Sequence, residues 1–282
     1  PAQPAAAFGA AGVRLLAPFA LLAGDASAAG PLADRGPHHP PEFQPLAAVG
    51  DGGKAQTIGY WRDDPSAPPG YVVQSKPLAV GQPGLKFDVV GDSLLAVLHA
   101  LLTAELKRSP IRAGEIRGAV SALEGAAAAA GVPLDGGSGA AARRRKEVVG
   151  KTSHGMGIVV PYDKKTELGY RELNPSGTAL RKLLGALAAA SGAARDAHQA
   201  ELDELINWAN IANDECDFGA SLQLGQDLFN HSLVFVSYCT GDLHAGDTTV
   251  KDRRGRAVHH HRLLSSRSRP SGRDLLRQSL QT

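Results

Sequence analysis

The sequence predicts an α+β fold, arranged as two lobes that combine sheet and helices and end in a disordered or divergent C-terminal tail. Hydrophobic residues make up 43% of the 282 residues and charged residues 21%, which is typical of a globular chain. Short strand-like segments and apolar-faced helical segments both occur, and they alternate without a regular strand–helix–strand rhythm. This combination favours segregated sheet and helices over a parallel doubly wound sheet.

The first predicted lobe spans residues 40–142 and begins with strands. Leu46–Val49 and Gln56–Trp61 flank a turn signal, Asp51-Gly52-Gly53, and this pattern predicts a hairpin. Tyr71–Val73 indicates a further strand. Two helices follow, because leucines recur at helical spacing after a candidate N-cap at Asp92 or Ser93. Their predicted ranges are Asp88–Leu106 and Glu115–Ala130.

The second predicted lobe spans residues 143–238 and follows an exposed connection. That connection contains the glycines of residues 136–139 and a basic cluster, Arg143–Lys146. A short buried strand is predicted within Gly155–Pro161, and a strand with a turn or loop within Asp163–Leu173. Three helices are then predicted from apolar spacing, and they cover Gly177–Ser191, Leu202–Ile211 and Ala220–Phe229. A break at Asn213–Gly219 separates the second of these helices from the third.

The two ends of the chain have a different composition. Residues 1–39 are rich in Ala, Gly and Pro and are predicted to be poorly ordered, with Val13–Leu22 as a possible short helix or strand. Residues 239–282 are rich in Arg, Ser, His and Gly, which indicates a disordered extension or the product of a frameshift or missed intron. The apolar runs are too short for a membrane span, and no secretory signal is expected. A net charge of +2 gives no basis for a broad DNA-binding surface.

Three carboxylates lie within four residues in the segment Asn213–Gly219. Crowded carboxylates repel one another, and such repulsion can raise a carboxyl pKa and suit it to general-base chemistry. The alternative is helix capping, in which Asp214 and Glu215 accept hydrogen bonds from the amides of the helix that begins near Gly219. Spacing alone leaves both interpretations open.

Four separated blocks resemble the histone PARylation factor family, in the same order along the chain. They are Pro40-Pro41-Glu42-Phe43-Gln44, Gly59-Tyr60-Trp61-Arg62-Asp63, His154-Gly155-Met156-Gly157-Ile158-Val159-Val160-Pro161 with Gly169-Tyr170-Arg171-Glu172-Leu173, and Ala212-Asn213-Asp214-Glu215-Cys216-Asp217-Phe218-Gly219. The resemblance covers about residues 8–230. The sequence departs from the family after Phe229.

The resemblance implies a role for six residues. Glu215 is the implied catalytic base, which removes the proton from an acceptor serine, and Asp214 and Asp217 support it. Arg171, Tyr170 and Glu167 are the implied contacts with a partner polymerase. Without the resemblance, Arg171 is equally consistent with a surface ion pair to Glu172 or Asp163. His154 is interpreted as structural.

The resemblance also implies the function. The chain is expected to bind a nuclear poly(ADP-ribose) polymerase and to complete its active site for serine modification of histones, at damaged chromatin. NAD would be bound by the polymerase, so no cofactor, metal, stand-alone activity or direct DNA binding is expected of this chain, and it is expected to be a monomer when free. A second hypothesis is a non-catalytic module that binds ADP-ribose or histone tails. A third, a hydrolase built on the carboxylates, lacks a nucleophile–base pair and a convincing ligand set.

Overall fold

The structure is a computed structural model that describes residues 8–25, 30, 33–50, 56–78, 84–135, 139–231, 249–251 and 257–259. The chain divides into two units, Pro1–Ser237 and Tyr238–Thr282. Within the second unit, two short strands pair in antiparallel fashion. The remainder of the predicted tail, together with the glycine-rich connection at 136–138, lies outside the described residues.

A five-stranded antiparallel sheet forms the first half of the larger unit, and its strand order follows the chain. Its strands are β1 (Val13–Leu15), β2 (Phe43–Val49), β3 (Gln56–Trp61), β4 (Tyr71–Pro77) and β5 (Leu85–Gly91). The predicted hairpin and the strand at Tyr71 are confirmed. Part of the N-terminal segment predicted to be poorly ordered also joins this sheet, as the edge strand β1.

The helices of this unit are α1 (Ala17–Leu22), α2 (Leu94–Arg108), α3 (Ala113–Ala130), α4 (Ala140–Glu147), α5 (Gly177–Ala189), α6 (Gly192–Asp214) and α7 (Phe218–Asn230); β6 (Thr249–Lys251) and β7 (Ala257–His259) belong to the second unit. The α+β class is therefore confirmed. Among the described residues, no helix combines the length and apolar character that a membrane span requires.

The core forms three hydrophobic clusters. One face of the sheet packs against α2 and α3 through residues such as Ile58, Val72 and Leu102. Because side chains alternate along a strand, the opposite face presents Trp61 and Val73, which pack against α4 and Met156. The third cluster joins α5, α6 and α7, and it is largely leucine and alanine.

Several predicted boundaries are wrong. The helix predicted from Asp88 starts at Leu94, because residues 85–91 form the strand β5 and pair with β4. Ser93 is confirmed as the N-cap of this helix, and its hydroxyl accepts the Ala96 N–H. The strand predicted within Gly155–Pro161 is reduced to one isolated bridge between Gly150 and Ile158, since positive φ angles at two glycines interrupt the extended backbone.

The basic cluster predicted as an exposed connection is also different. It forms the helix α4, and the boundary predicted between residues 142 and 143 falls inside this helix. Arg144 is buried and binds both oxygens of Asp63, while its Nε donates to the Met156 carbonyl at 2.9 Å. A helix of consecutive basic residues is stable here because one of them faces the core with a complete set of acceptors.

Candidate functional site

The loop between α6 and α7 carries the acidic cluster. The Asp217 N–H donates to the Ala212 carbonyl at 2.8 Å, and Cys216 adopts a left-handed φ of 69° between them. A left-handed backbone is uncommon for a residue with a side chain, and such positions cluster at functional sites. The tight turn places Glu215 at the surface and buries Asp217 two residues later.

Arg171 joins the two acidic residues. Its Nη2 atom lies 2.6 Å from Oε2 of Glu215 and 3.0 Å from Oδ2 of Asp217. The side chains of Arg171 and Glu215 are 50% and 54% exposed, whereas that of Asp217 is 5% exposed. The hydrogen bond to Glu215 is the main cause of a raised pKa of the Arg171 guanidinium. The exposed Glu215 carboxylate is therefore bound by Arg171, and Arg171 is bound in turn by the buried Asp217.

Asp217 also fixes the backbone that carries Arg171. Its Oδ1 atom accepts the Gly169 N–H at 2.9 Å, and the Gly219 N–H donates to the Gly169 carbonyl at 3.0 Å. Gly169 has a φ of 111°, and an added Cβ would lie 2.1 Å from the Pro161 carbonyl oxygen. Only glycine therefore fits at this point, where the loop of residues 161–171 crosses the start of α7.

Tyr170 lies half-buried beneath the same helix. Its hydroxyl donates to Oε1 of Gln223 at 2.8 Å. Burial, followed by the nearby charges of Glu172 and Asp227, raises the pKa of Tyr170 to about 12, so the phenol remains a donor at neutral pH. This internal bond is an additional role to the partner contact predicted for Tyr170, which stays a prediction.

Two other predicted residues lie at the surface near this cluster. Asp214 is the last residue of α6, and within the described part of the chain its side chain makes no hydrogen bond or ion pair. Glu167 is exposed, with a φ of 56°, in the turn closed by a bridge between Asp163 and Leu168. The structure thus unites Arg171, Glu215 and Asp217 directly, and it places Glu167 and Asp214 on the flanking backbone.

The geometry bears on both alternatives left open by the sequence. Asp214 and Glu215 lie at the C-terminal end of α6, and in the described part of the chain neither their side chains nor that of Asp217, at the N-cap of α7, caps the first turn of α7. The ion pair of Arg171 is with Glu215 and Asp217 rather than with Glu172 or Asp163. Capping of α7 therefore does not explain the carboxylates, and the general-base interpretation stays a prediction.

Large apolar side chains remain exposed close to the acidic loop. Phe218 directly follows Asp217, and Leu222 lies one turn further along the same face of α7. Trp208 precedes Glu215 by two turns on α6, and Leu168 precedes the anchored Gly169. Exposed apolar residues that gather around a charged centre are typical of a protein interaction surface. We refer to Leu168, Trp208, Phe218 and Leu222 as the apolar rim.

A stripe of buried polar residues on α7 was missed by sequence reasoning. Its members recur at i, i+3, i+4 and i+7, which places them on one helix face, and each bonds to another element. They are Gln223, Gln226, Asp227 and Asn230. The opposite face packs into the helical cluster, so α7 is enclosed on both sides. The polar period within an apolar helix was a signal that could have identified this stripe.

The expected structural role of His154 agrees with its surroundings. It is buried beside Trp61 and Phe87, and its Nε2 bonds to Oε1 of Gln226 at 2.8 Å. Since the amide oxygen accepts, Nε2 carries the proton and Nδ1 accepts from the Met156 N–H at 3.3 Å. Among the described residues, no three His, Cys, Asp or Glu side chains are grouped so as to hold a metal ion.

Comparisons with known proteins identify relatives of this chain. The family model described as Histone PARylation factor 1 matches residues 1–241. The chain is 34% identical to Histone PARylation factor 1 of Bos taurus and 33% identical to that of Mus musculus, in each case over 86% of this chain and 72% of the relative. It is 34% identical to the Danio rerio protein over 68% of this chain and 54% of the relative.

Proposed function

Because this chain belongs to the histone PARylation factor 1 family, we propose that it completes the active site of a DNA-damage-activated poly(ADP-ribose) polymerase for serine modification. Glu215 is the general base in this proposal. Asp214 and Asp217 support it, and Arg171, Tyr170 and Glu167 contribute to the contact with the polymerase. The observation that carries the proposal is the exposed Glu215 carboxylate, held by Arg171 at 2.6 Å.

The chemistry explains why an added carboxylate matters. A serine hydroxyl is a weak nucleophile until a base removes its proton, whereas an acidic acceptor is already ionised. As the hydroxyl oxygen bonds to the ribose carbon of NAD and nicotinamide leaves, Glu215 takes the hydroxyl proton. The polymerase binds NAD, so this chain needs only a positioned carboxylate and no cofactor of its own.

Positioning is supported by the anchoring beneath the site. The surface carboxylate is oriented by Arg171, and Arg171 is oriented by the buried Asp217. A base must lie within hydrogen-bond reach of the proton that it removes, and small displacements greatly reduce the rate. A three-member arrangement with one buried member satisfies this requirement better than a lone surface glutamate.

Docking of the polymerase onto this face is supported by its composition. The apolar rim supplies exposed apolar contact area on the same helices and loop that carry the charged residues. Asp214 carries a negative charge at the C-terminal end of α6, where the helix dipole disfavours it. Asp214 is exposed and makes no ion pair in the described part of the chain, so its carboxylate is open to a donor from the polymerase.

The proposed setting is the nucleus, at damaged chromatin, where histones are the substrates. The free chain is proposed to be a monomer, and the polymerase rather than this chain contacts DNA. We expect the chain to have no activity by itself, since it contributes only one catalytic group to a shared site.

The decisive experiment mixes the protein with a DNA-activated poly(ADP-ribose) polymerase, NAD and a histone tail peptide, and then measures modification of serine. The wild type is compared with Glu215→Gln, which preserves shape but removes the basic oxygen. Glu204→Gln, at an exposed position of the preceding helix α6, is the matched control. Serine modification is expected to fall at least about a hundredfold for Glu215→Gln, within the range for general bases, and to persist for the control.

Association with the polymerase is measured in parallel, and it separates the two main hypotheses. Retained binding with lost serine modification supports the catalytic role. Equal serine modification by the wild type and Glu215→Gln would contradict it and leave the non-catalytic binding module as the function.

A further inference from the structure

Gln223 connects two loops beneath the acidic site. Its Oε1 atom accepts the Tyr170 hydroxyl at 2.8 Å, and its Nε2 atom donates to the Lys151 carbonyl at 2.9 Å. The residue is buried, with 3% of its surface exposed. Because both ends of the amide are used, the side chain has a single orientation, and the Tyr170 hydroxyl has a fixed acceptor.

The ring of Tyr170 is enclosed by two glycines. An added Cβ at Gly150 would lie 2.5 Å from the ring, and one at Gly219 would lie 2.9 Å from it. Both distances are far below van der Waals contact, so these positions must lack side chains for the ring to enter. The ring is therefore inserted between the loop at Gly150 and the first turn of α7.

Tyr170 is the residue immediately before Arg171, in a segment without regular secondary structure. Such segments have no ladder of backbone bonds to restrain them, so side-chain anchors determine their geometry. Gly169 is anchored by Asp217, and Tyr170 is anchored by Gln223. The two anchors together set the direction in which Arg171 leaves the backbone and reaches Glu215.

We infer that Gln223 is a positioning residue of the site, which holds Arg171 against Glu215 by fixing Tyr170 between Gly150 and α7. This inference rests on the proposed function and extends it to a buried residue outside the acidic segment. Gln223 acts through Tyr170 and touches neither substrate nor polymerase. Tyr170 accordingly contributes through an internal bond as well as through any contact with the partner.

The test combines two conservative variants, Tyr170→Phe and Gln223→Met, with the double variant. Each single change removes the hydrogen bond between Tyr170 and Gln223 and nearly preserves side-chain size, and Gln223→Met also removes the bond to the Lys151 carbonyl. At saturating amounts of the factor, we expect each to lower the rate of serine modification by about three- to tenfold, the range that one hydrogen bond supports. The double variant should lose little more than either single one, because coupled residues are not additive.

Gln226→Met is the matched control, since Gln226 is a buried amide on the same helix that bonds to His154 and Glu42 instead. At a temperature below its unfolding transition, the Gln226→Met variant should support a rate of serine modification within about twofold of the wild type. A general loss of stability would affect all three glutamine and tyrosine variants alike, whereas positioning affects only the Tyr170–Gln223 pair.

Amide hydrogen exchange at Gly169 provides a readout that does not depend on the polymerase. Faster exchange is expected in Tyr170→Phe and Gln223→Met, and unchanged exchange in Gln226→Met. Unchanged exchange in the first two variants, or faster exchange with a wild-type rate of serine modification, would overturn the positioning role. A wild-type protein that promotes no serine modification would instead overturn the proposed function, and the positioning role with it.

Discussion

The Nη2 atom of Arg171 lies 3.0 Å from Oδ2 of Asp217, although Arg171 is half exposed and Asp217 is almost completely buried. The second oxygen of Asp217 accepts the Gly169 N–H, so one carboxylate fixes both the backbone and the side chain of the same loop. The surface position of Glu215 therefore depends on a residue that a partner protein cannot reach.

The first prediction concerns these two functions of Asp217. Asp217→Asn retains an oxygen for the Gly169 N–H but removes the charge that attracts Arg171, and we expect it to lower the free energy of unfolding by about 1 kcal/mol. Asp217→Ala removes both contacts and is expected to lower it by about 2 to 3 kcal/mol. Denaturant unfolding measures both values.

Asp203→Asn, on the exposed face of α6, is the control, and it should change the free energy of unfolding by less than about 0.5 kcal/mol. A loss in Asp203→Asn as large as that in Asp217→Asn would contradict the prediction.

The second prediction concerns the buried Arg144 and its more exposed partner Asp63. The guanidinium binds both oxygens of Asp63 and also donates to the carbonyls of Met156 and Gly157. Arg144→Met would leave the two carbonyls without this donor and Asp63 without its cation, and we expect it to lower the free energy of unfolding by about 2 kcal/mol.

The matched control for Arg144 is its exposed neighbour. Arg145→Met removes the same charge from the same helix and should change stability by less than about 0.5 kcal/mol. Arg144→Lys is expected to resemble Arg144→Met, because an ammonium cannot reproduce the forked contact. If Arg144→Met and Arg145→Met have equal free energies of unfolding in urea, the contacts of Arg144 do not stabilise the fold and the prediction is wrong.

The sequence predicted three strands of the five-stranded sheet and most helices, since strand alternation and leucine spacing are local properties of the chain. It did not predict the fate of Arg143–Lys146, because a run of basic residues has the same pattern whether solvated or docked. The burial of Arg144 depends on Asp63, which lies about eighty residues away and whose position is set by the sheet. Long-range pairing of this kind leaves no periodic signal.

The sequence likewise indicated some residues of the acidic site and not others. The resemblance to the family indicated Glu215, Asp217 and Arg171, and the structure brings these three together. Gln223 was not predicted: the polar period of α7 could have indicated a stripe, but it does not show whether that stripe faces solvent or another part of the chain. Its role depends on Tyr170, fifty-three residues earlier, and only the folded backbone brings them together.

The third prediction concerns the pH dependence of stability. Burial lowers the pKa of His154 from 6.5 to about 4, and the Arg144 charge adds to this effect, whereas the hydrogen bond that His154 donates to Gln226 and the Asp63 charge oppose it. A histidine whose pKa is lower in the folded state favours unfolding when protonated. Its effect is absent above pH 6.5, and stability is lost as the pH falls from 6.5 through about 4, by at most about 3 kcal/mol.

Unfolding by urea at pH 7 and at pH 4.5 measures this dependence. His154→Gln cannot be protonated, so its free energy of unfolding should decrease less between these pH values than that of the wild type. Ile158→Val is the control, since it weakens packing by about 1 kcal/mol at both pH values. Burial raises the pKa of Asp227, which acts in the opposite direction, and this contribution cancels in the comparison. Parallel pH curves for wild type and His154→Gln would contradict the prediction.

The last prediction tests the apolar rim as the docking surface proposed for the polymerase. Phe218 is 56% exposed and directly follows Asp217 in the acidic loop, so we expect a partner that docks at Glu215 to contact it. Central aromatic residues dominate binding energies, and we expect Phe218→Ala to weaken association at least about tenfold while leaving thermal stability nearly unchanged. Ile111→Ala is the control, because Ile111 is 99% exposed but lies in the connection between α2 and α3. Calorimetric titration measures both affinities. If the two variants bind equally well, the partner does not cover the rim, and the acidic loop must be approached from another side.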